Sequence, residues 1–168
     1  GEYSTALGYQ SLANATGGSN TAIGYQSGVS LTTGVNNTFV GDKSGDGTDD
    51  GNNNVAVGYT ALSANCGSSN VALGTYAMRL STGDENVAIG KESMYDATSA
   101  SGVTAIGTES ATNLTSGSES VAIGKQALYT VQTAGANTAV GYQALRLNTA
   151  ASNTAVGHSA LINNSTAT

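Results

Sequence analysis

One five-residue segment recurs along the whole chain and restricts the fold more than any other feature. It reads Ser4-Thr-Ala-Leu-Gly8, Asn20-Thr-Ala-Ile-Gly24, Asn37-Thr-Phe-Val-Gly41, Asn54-Val-Ala-Val-Gly58 and Asn70-Val-Ala-Leu-Gly74 in the first half. It continues as Asn86-Val-Ala-Ile-Gly90, Val103-Thr-Ala-Ile-Gly107, Ser120-Val-Ala-Ile-Gly124, Asn137-Thr-Ala-Val-Gly141 and Asn153-Thr-Ala-Val-Gly157. Successive motif glycines are 16 or 17 residues apart, so the copies leave no room for a second domain within positions 1–168. A period this short is too small for a helix pair and fits one coil of a solenoid.

Each column has a chemical character. Leu, Ile or Val always precedes the glycine, and Thr or Val stands two places earlier. In an extended strand these two share a face, because side chains alternate with period two. Both suit a strand ladder, so they are expected to face the coil interior. Ala lies between them in every copy but one, where Phe39 replaces it. On this reading the Ala column points outward, and its uniformity implies a closely packed neighbour.

The motif glycines, Gly8, Gly24, Gly41, Gly58, Gly74, Gly90, Gly107, Gly124, Gly141 and Gly157, are expected at a turn where coil stacks on coil. The Asn that opens most copies tolerates turn conformations, and repeated at one position it can form an inter-coil ladder. After each glycine comes a second short element such as Tyr142-Gln-Ala-Leu145, whose small-then-large pattern departs from alternation and predicts a bend or bulge. Two short strands and two turns per unit then make one coil. The expected fold is all-β: a parallel β-solenoid of about ten coils, near 48 Å long at about 4.8 Å per coil. Its interior is thin, which favours lateral assembly.

Composition removes several classes of function. The chain has 168 residues, with 5 Lys+Arg against 11 Asp+Glu and a net charge of −6, too few cations for a nucleic-acid stripe. No apolar run approaches the length that spans a bilayer. The chain opens on Gly1 without a basic or apolar leader, and we read it as a fragment or mature piece. Cys66 is alone and is expected to be a small space-filler. Nothing resembles a converging acid–base cluster, so no catalytic residue and no cofactor is expected. His158 falls in a column shared with Tyr, Lys, Asp and Thr, which marks a surface position. Asp42, Asp46, Asp49 and Asp50 form an acidic, Gly-rich stretch, but its spacing misses the calcium-loop pattern. A solvated loop is the expectation there, without a metal.

Asn86-Val-Ala-Ile-Gly90 and Ser120-Val-Ala-Ile-Gly124 resemble the head repeats of YadA-like trimeric autotransporter adhesins. The longer run from Asn137 to Leu145 is also similar to repeats in phage tail-fibre and other surface-fibre proteins. The resemblance covers the whole chain. It implies a left-handed parallel β-roll, a homotrimer of three chains side by side, and an exposed adhesive or spacer role. It also implies an extracellular location, at a cell surface or on a virion tail fibre. The period here is longer than the usual adhesin head unit, and the stalk and anchor of those adhesins are absent from this segment.

The expected function is therefore a non-enzymatic, structural or adhesive segment of an extracellular trimeric fibre, with a cell-surface glycan or protein as the class of receptor. Tyr9, Tyr25, Tyr59 and Tyr142 share the column after the glycine. They have two readings: contacts to a ligand, or cover for an adjacent coil or chain. Since the first and last units look like interior ones, flanking domains or end-to-end stacking into a filament is expected. An ice-binding face built on Thr5, Thr21, Thr38, Thr104, Thr138 and Thr154 is the other class considered. Val55, Val71, Val87 and Val121 interrupt that column, and Thr/Val exchange reads better as a buried position. A β-helical glycan lyase or hydrolase is weakened by the narrow coil and the missing acid–base pair.

Overall fold

The computed structural model describes residues 1–164, so the last four positions of the array lie outside the described residues. Each motif forms one three-residue strand. These are β1 (Thr5–Leu7), β2 (Thr21–Ile23), β3 (Thr38–Val40), β4 (Val55–Val57) and β5 (Val71–Leu73). The others are β6 (Val87–Ile89), β7 (Thr104–Ile106), β8 (Val121–Ile123), β9 (Thr138–Val140) and β10 (Thr154–Val156). All ten pair in parallel, in chain order, in a single sheet. Register never slips: Val71 lies opposite Val87, Ala72 opposite Ala88 and Leu73 opposite Ile89, and every other pair repeats this. The molecule is a parallel β-solenoid, with no helix among the described residues. Ten strands at the usual inter-strand spacing place β10 about 43 Å from β1.

The alternation is present, but its two faces are the reverse of the expectation. Ala22, Phe39, Ala56, Ala72, Ala88, Ala105, Ala122 and Ala139 are completely buried, whereas the residues flanking them are half-buried or exposed. Thickness is the cause. A coil this short brings its opposite wall so close that only a methyl group fits on the strand side. The other wall already supplies the bulk through Leu62, Met78, Met94, Leu128 and Leu145, all fully buried. The β-branched and aliphatic columns consequently stand on the outer surface of the sheet.

The second expected strand is not formed. The segment after each glycine is a continuous turn, with left-handed φ at fixed places such as Tyr76 (59°) and Met78 (52°), and again at Glu85 (59°) before the next motif. Residues with side chains seldom adopt this conformation. Here hydrogen bonding along the rod compensates: the Tyr76 N–H donates back to Tyr59 O (3.0 Å), and the Met78 N–H donates forward to Ser93 O (2.9 Å). Between them the Ala77 N–H closes the turn on Gly74 O (3.2 Å), so the amides of one turn reach the coil before, their own coil and the coil after. The predicted bend is thus a second inter-coil ladder without strand geometry.

The glycine stack lies at the exit of each strand. Gly74 has φ of +137°, and a Cβ there would sit 2.6 Å from Gly90 O, so neither the conformation nor the space admits a side chain.

The Asn column forms the expected ladder, chiefly through side chain to backbone bonds. Asn70 Oδ1 accepts the Asn86 N–H (3.0 Å), while Asn70 Nδ2 donates to Gly83 O (3.0 Å). The same double contact joins Asn54 to Asn70 N and Gly67 O, and Asn86 to Val103 N and Ala100 O. These amides are fully buried. Each closes the corner where the turn enters the strand, satisfying backbone groups that the thin coil keeps from water.

Candidate functional site

Two surface regions carry enough organised chemistry to be functional. The first is the outer face of the sheet. Its two columns are Thr/Val (Thr5 to Thr154) and Leu/Ile/Val (Leu7 to Val156), and no strand contains a charged residue. From β4 to β6 both columns are entirely aliphatic. Ile106 and Ile123 remain 37% and 38% exposed within otherwise well-packed coils. The strip is about 43 Å long and one strand wide, and contiguous apolar surface of this kind usually marks an interaction site. The Thr column also lies on this face, contrary to the expected burial of Thr/Val positions. Its threonines are nevertheless interrupted by Val55, Val71, Val87 and Val121 along the rod and stand beside an unbroken aliphatic row.

The second region lies on the turn side, where the post-glycine columns reach solvent. Of the four tyrosines singled out from sequence, Tyr9 and Tyr25 stack on each other across adjacent coils (5.4 Å between centroids, 11° between planes). Tyr142 packs against His158 at 5.0 Å. These three therefore cover neighbouring coils while staying partly exposed. Tyr59 differs, because it opens an aromatic series into other columns. Its ring meets Tyr76 edge-on at 5.3 Å and 74°, and Tyr76 meets Tyr95 at 6.1 Å and 80°. Arg79 places its guanidinium 5.5 Å from the Tyr76 centroid and 5.3 Å from that of Tyr95, and also donates to Tyr95 Oη. Sequence reasoning missed Tyr76, Arg79 and Tyr95 because they sit two or five places after their glycines, the first in a column otherwise polar and the others in a column of mixed character. The available signal was the appearance of tyrosine and arginine in those columns in two consecutive coils.

Two hollows flank this series. One, of about 330 Å³, lies between Tyr59, Tyr76 and Arg79 on one side and Lys43, Asp46 and Ser63 on the other. The second, of about 350 Å³, is bounded by Tyr76, Arg79, Tyr95, Glu92 and Thr112. Asp46 Oδ1 and Ser63 Oγ are buried without a well-formed hydrogen bond. Burial pushes the Asp46 carboxyl above the usual carboxylate range, opposed first by the nearby Ser63 hydroxyl and less strongly by backbone amides and the charge of Lys43.

The acidic stretch disperses in space. Asp46 turns into the first hollow, Asp49 accepts from Thr32 Oγ1, and Asp42 and Asp50 are exposed. Among the described residues no three His, Cys, Asp or Glu side chains converge in a way that holds a metal ion. His158 is exposed, and its Nδ1 lies 3.0 Å from Ser159 Oγ. Cys66 is buried 3.1 Å from Thr48 Oγ1, in the space-filling position expected of it. No helix among the described residues is long and apolar enough to cross a membrane. Compared with known proteins, the chain matches no family model, no curated protein and no solved structure.

Proposed function

We propose that this chain is a non-enzymatic structural and adhesive segment of an extracellular fibre, such as a surface adhesin or a phage tail fibre, in which three left-handed rolls lie side by side. The observation that supports this reading is the aliphatic ladder on the outer face of the sheet. It is continuous over ten coils and uncharged, and its residues are the types that pack in protein interiors. The partner-facing surface is thus the Thr/Val and Leu/Ile/Val face, in place of the Ala face that the sequence suggested. Homo-oligomers are closed and symmetric in most soluble proteins, and three copies turning this strip toward one axis bury it along its whole length.

Light scattering coupled to size exclusion tests the assembly. A particle of three times the chain mass of 16.5 kDa is expected. A stable, folded single chain or a dimer contradicts it. Replacing Ile106 and Ile123 together by Lys is expected to release folded monomers, because the charges stand on the proposed interface and outside the coil interior.

A further inference from the structure

The hollows beside Tyr59, Tyr76 and Tyr95 lie away from the apolar sheet face, and assembly through that face leaves them without a role. They bring three features together. The first is aromatic. Tyr76 stands nearly perpendicular to both Tyr59 and Tyr95, so the three rings, on successive coils, form two corners. Each corner offers a flat apolar wall against which the C–H face of a sugar ring can pack.

The second feature is charge. The chain has only five Lys and Arg residues and a net charge of −6, yet two of the five, Lys43 and Arg79, line the same hollow. The ion pair found among the described residues is Lys91–Glu92 (3.1 Å), so neither of these cations is held by a carboxylate at contact distance. Stacking against Tyr76 and Tyr95 and the bond to Tyr95 Oη fix the guanidinium plane. That bond uses one of the five N–H donors and leaves the others to meet an anion.

The third feature is unspent hydrogen bonding. Asp46 Oδ1 and Ser63 Oγ are buried in the same wall without a well-formed hydrogen bond, the Ser63 hydroxyl lying close to the Asp46 carboxyl. Such atoms are costly to leave unmatched, and together they suit hydroxyl groups of a ligand. An anion alone would leave the rings and the Asp46 carboxylate unexplained. A neutral sugar would leave Arg79 without an anion at contact distance, Lys43 already sharing its hollow with the Asp46 carboxyl.

We infer that this strip is a binding site for an acidic oligosaccharide, laid along the rod axis. In this arrangement a sugar carboxylate meets Arg79 and Lys43, ring hydroxyls meet Asp46 and Ser63, and successive rings pack into the corners beside Tyr76.

Calorimetric titration of the assembled protein tests it, with sialyllactose and trigalacturonate as acidic probes and lactose as the neutral one. At least one acidic probe is expected to bind about tenfold or more tightly than lactose. Arg79→Gln is expected to weaken that binding about tenfold, and Tyr76→Ala by a similar factor, with the circular dichroism spectrum unmoved. Tyr142→Ala, which changes an exposed tyrosine far along the rod, leaves binding as it was. The inference is overturned if neither acidic probe binds at concentrations up to about 10 mM. It is equally overturned if lactose or an oligoglutamate binds as well as the better acidic sugar, or if folded Arg79→Gln binds like the parent. The mass measured by light scattering is independent of all these outcomes, so this site and the proposed assembly stand or fall separately.

Discussion

The ring of Phe39 fills the space that a side chain at Gly45 would need: a Cβ on Gly45 would lie 2.6 Å from the ring. Gly45 occupies the column held elsewhere by Leu62, Met78, Met94, Leu128 and Leu145, and Phe39 occupies the column held elsewhere by alanine. Gly28, one coil earlier in the same column, is 2.9 Å from the ring by the same measure. Coil three has thus exchanged large and small across its interior. The Ala–Leu pairing has become Phe–Gly, with the second glycine making room for the width of the ring.

This pairing predicts strong coupling between the two positions. Phe39→Ala alone should cost about 3–5 kcal/mol, because it opens a cavity between glycines that cannot fill it. Gly45→Leu alone should cost at least about 1–3 kcal/mol through overpacking. Combined, the two restore the pattern of the neighbouring coils and should cost about 1–3 kcal/mol less than their sum. Denaturant unfolding of the four proteins measures this, and simple additivity would show that ring and glycine are energetically independent.

Asn70 gives the second prediction. Asn70→Ala leaves the buried Asn86 N–H without its acceptor and Gly83 O without its donor. Two stranded backbone groups correspond to about 2–6 kcal/mol. Hydrogen exchange at the Asn86 amide should accelerate beyond what the global loss of stability explains. Unchanged protection at that amide would mean that water or another group replaces the side chain.

Asp46 links stability to pH with a definite sign. Burial raises its folded-state value above 3.8, so the folded chain holds the proton more tightly than the unfolded one. The stability this contributes is present in acid, below the unfolded value, and is lost as pH rises through the folded value. Asp46→Asn removes the cost of the buried charge. The Tm of the variant should exceed that of the parent near pH 7 and approach it near about pH 3. A difference of the same size at both pH values would assign the effect to something other than this carboxyl.

Cys66 should be chemically quiet in the folded rod. Its thiol is buried, and burial pushes its pKa from 9.0 up to about 11. At pH 8 this alone lowers the thiolate population about a hundredfold, before access is considered. Ellman's reagent should therefore react at the rate of unfolding, and stoichiometrically once the chain is denatured. Rapid labelling of the native protein would show that this corner opens locally.

Much of the fold is legible in the sequence because a repeat reports its own register. Ten glycines at intervals of 16 or 17 residues define the coils, and the in-register Ala72–Ala88 and Leu73–Ile89 pairs follow. Period two separates Val71 and Leu73 from Ala72, but it does not say which side is inside. Steric room decides that, and the room depends on how far Met78 and its column reach across the coil. Non-glycine residues in left-handed conformation, such as Tyr76, are also hard to read, since their cause is hydrogen bonding to neighbouring coils. The cluster around Arg79 was hidden for a related reason. Tyr59, Tyr76 and Tyr95 occupy three different columns, and only the turn geometry brings them together.

The two inter-coil ladders have a mechanical consequence. Their bonds run along the rod, so tension applied between its ends loads the coils in series, and the weakest junction yields first. Each coil that opens releases 16 or 17 residues, about 50 Å of extended chain in exchange for one stacking step of about 4.8 Å. A tether built this way lengthens in discrete increments and dissipates work at every one, while the coils still closed keep their register.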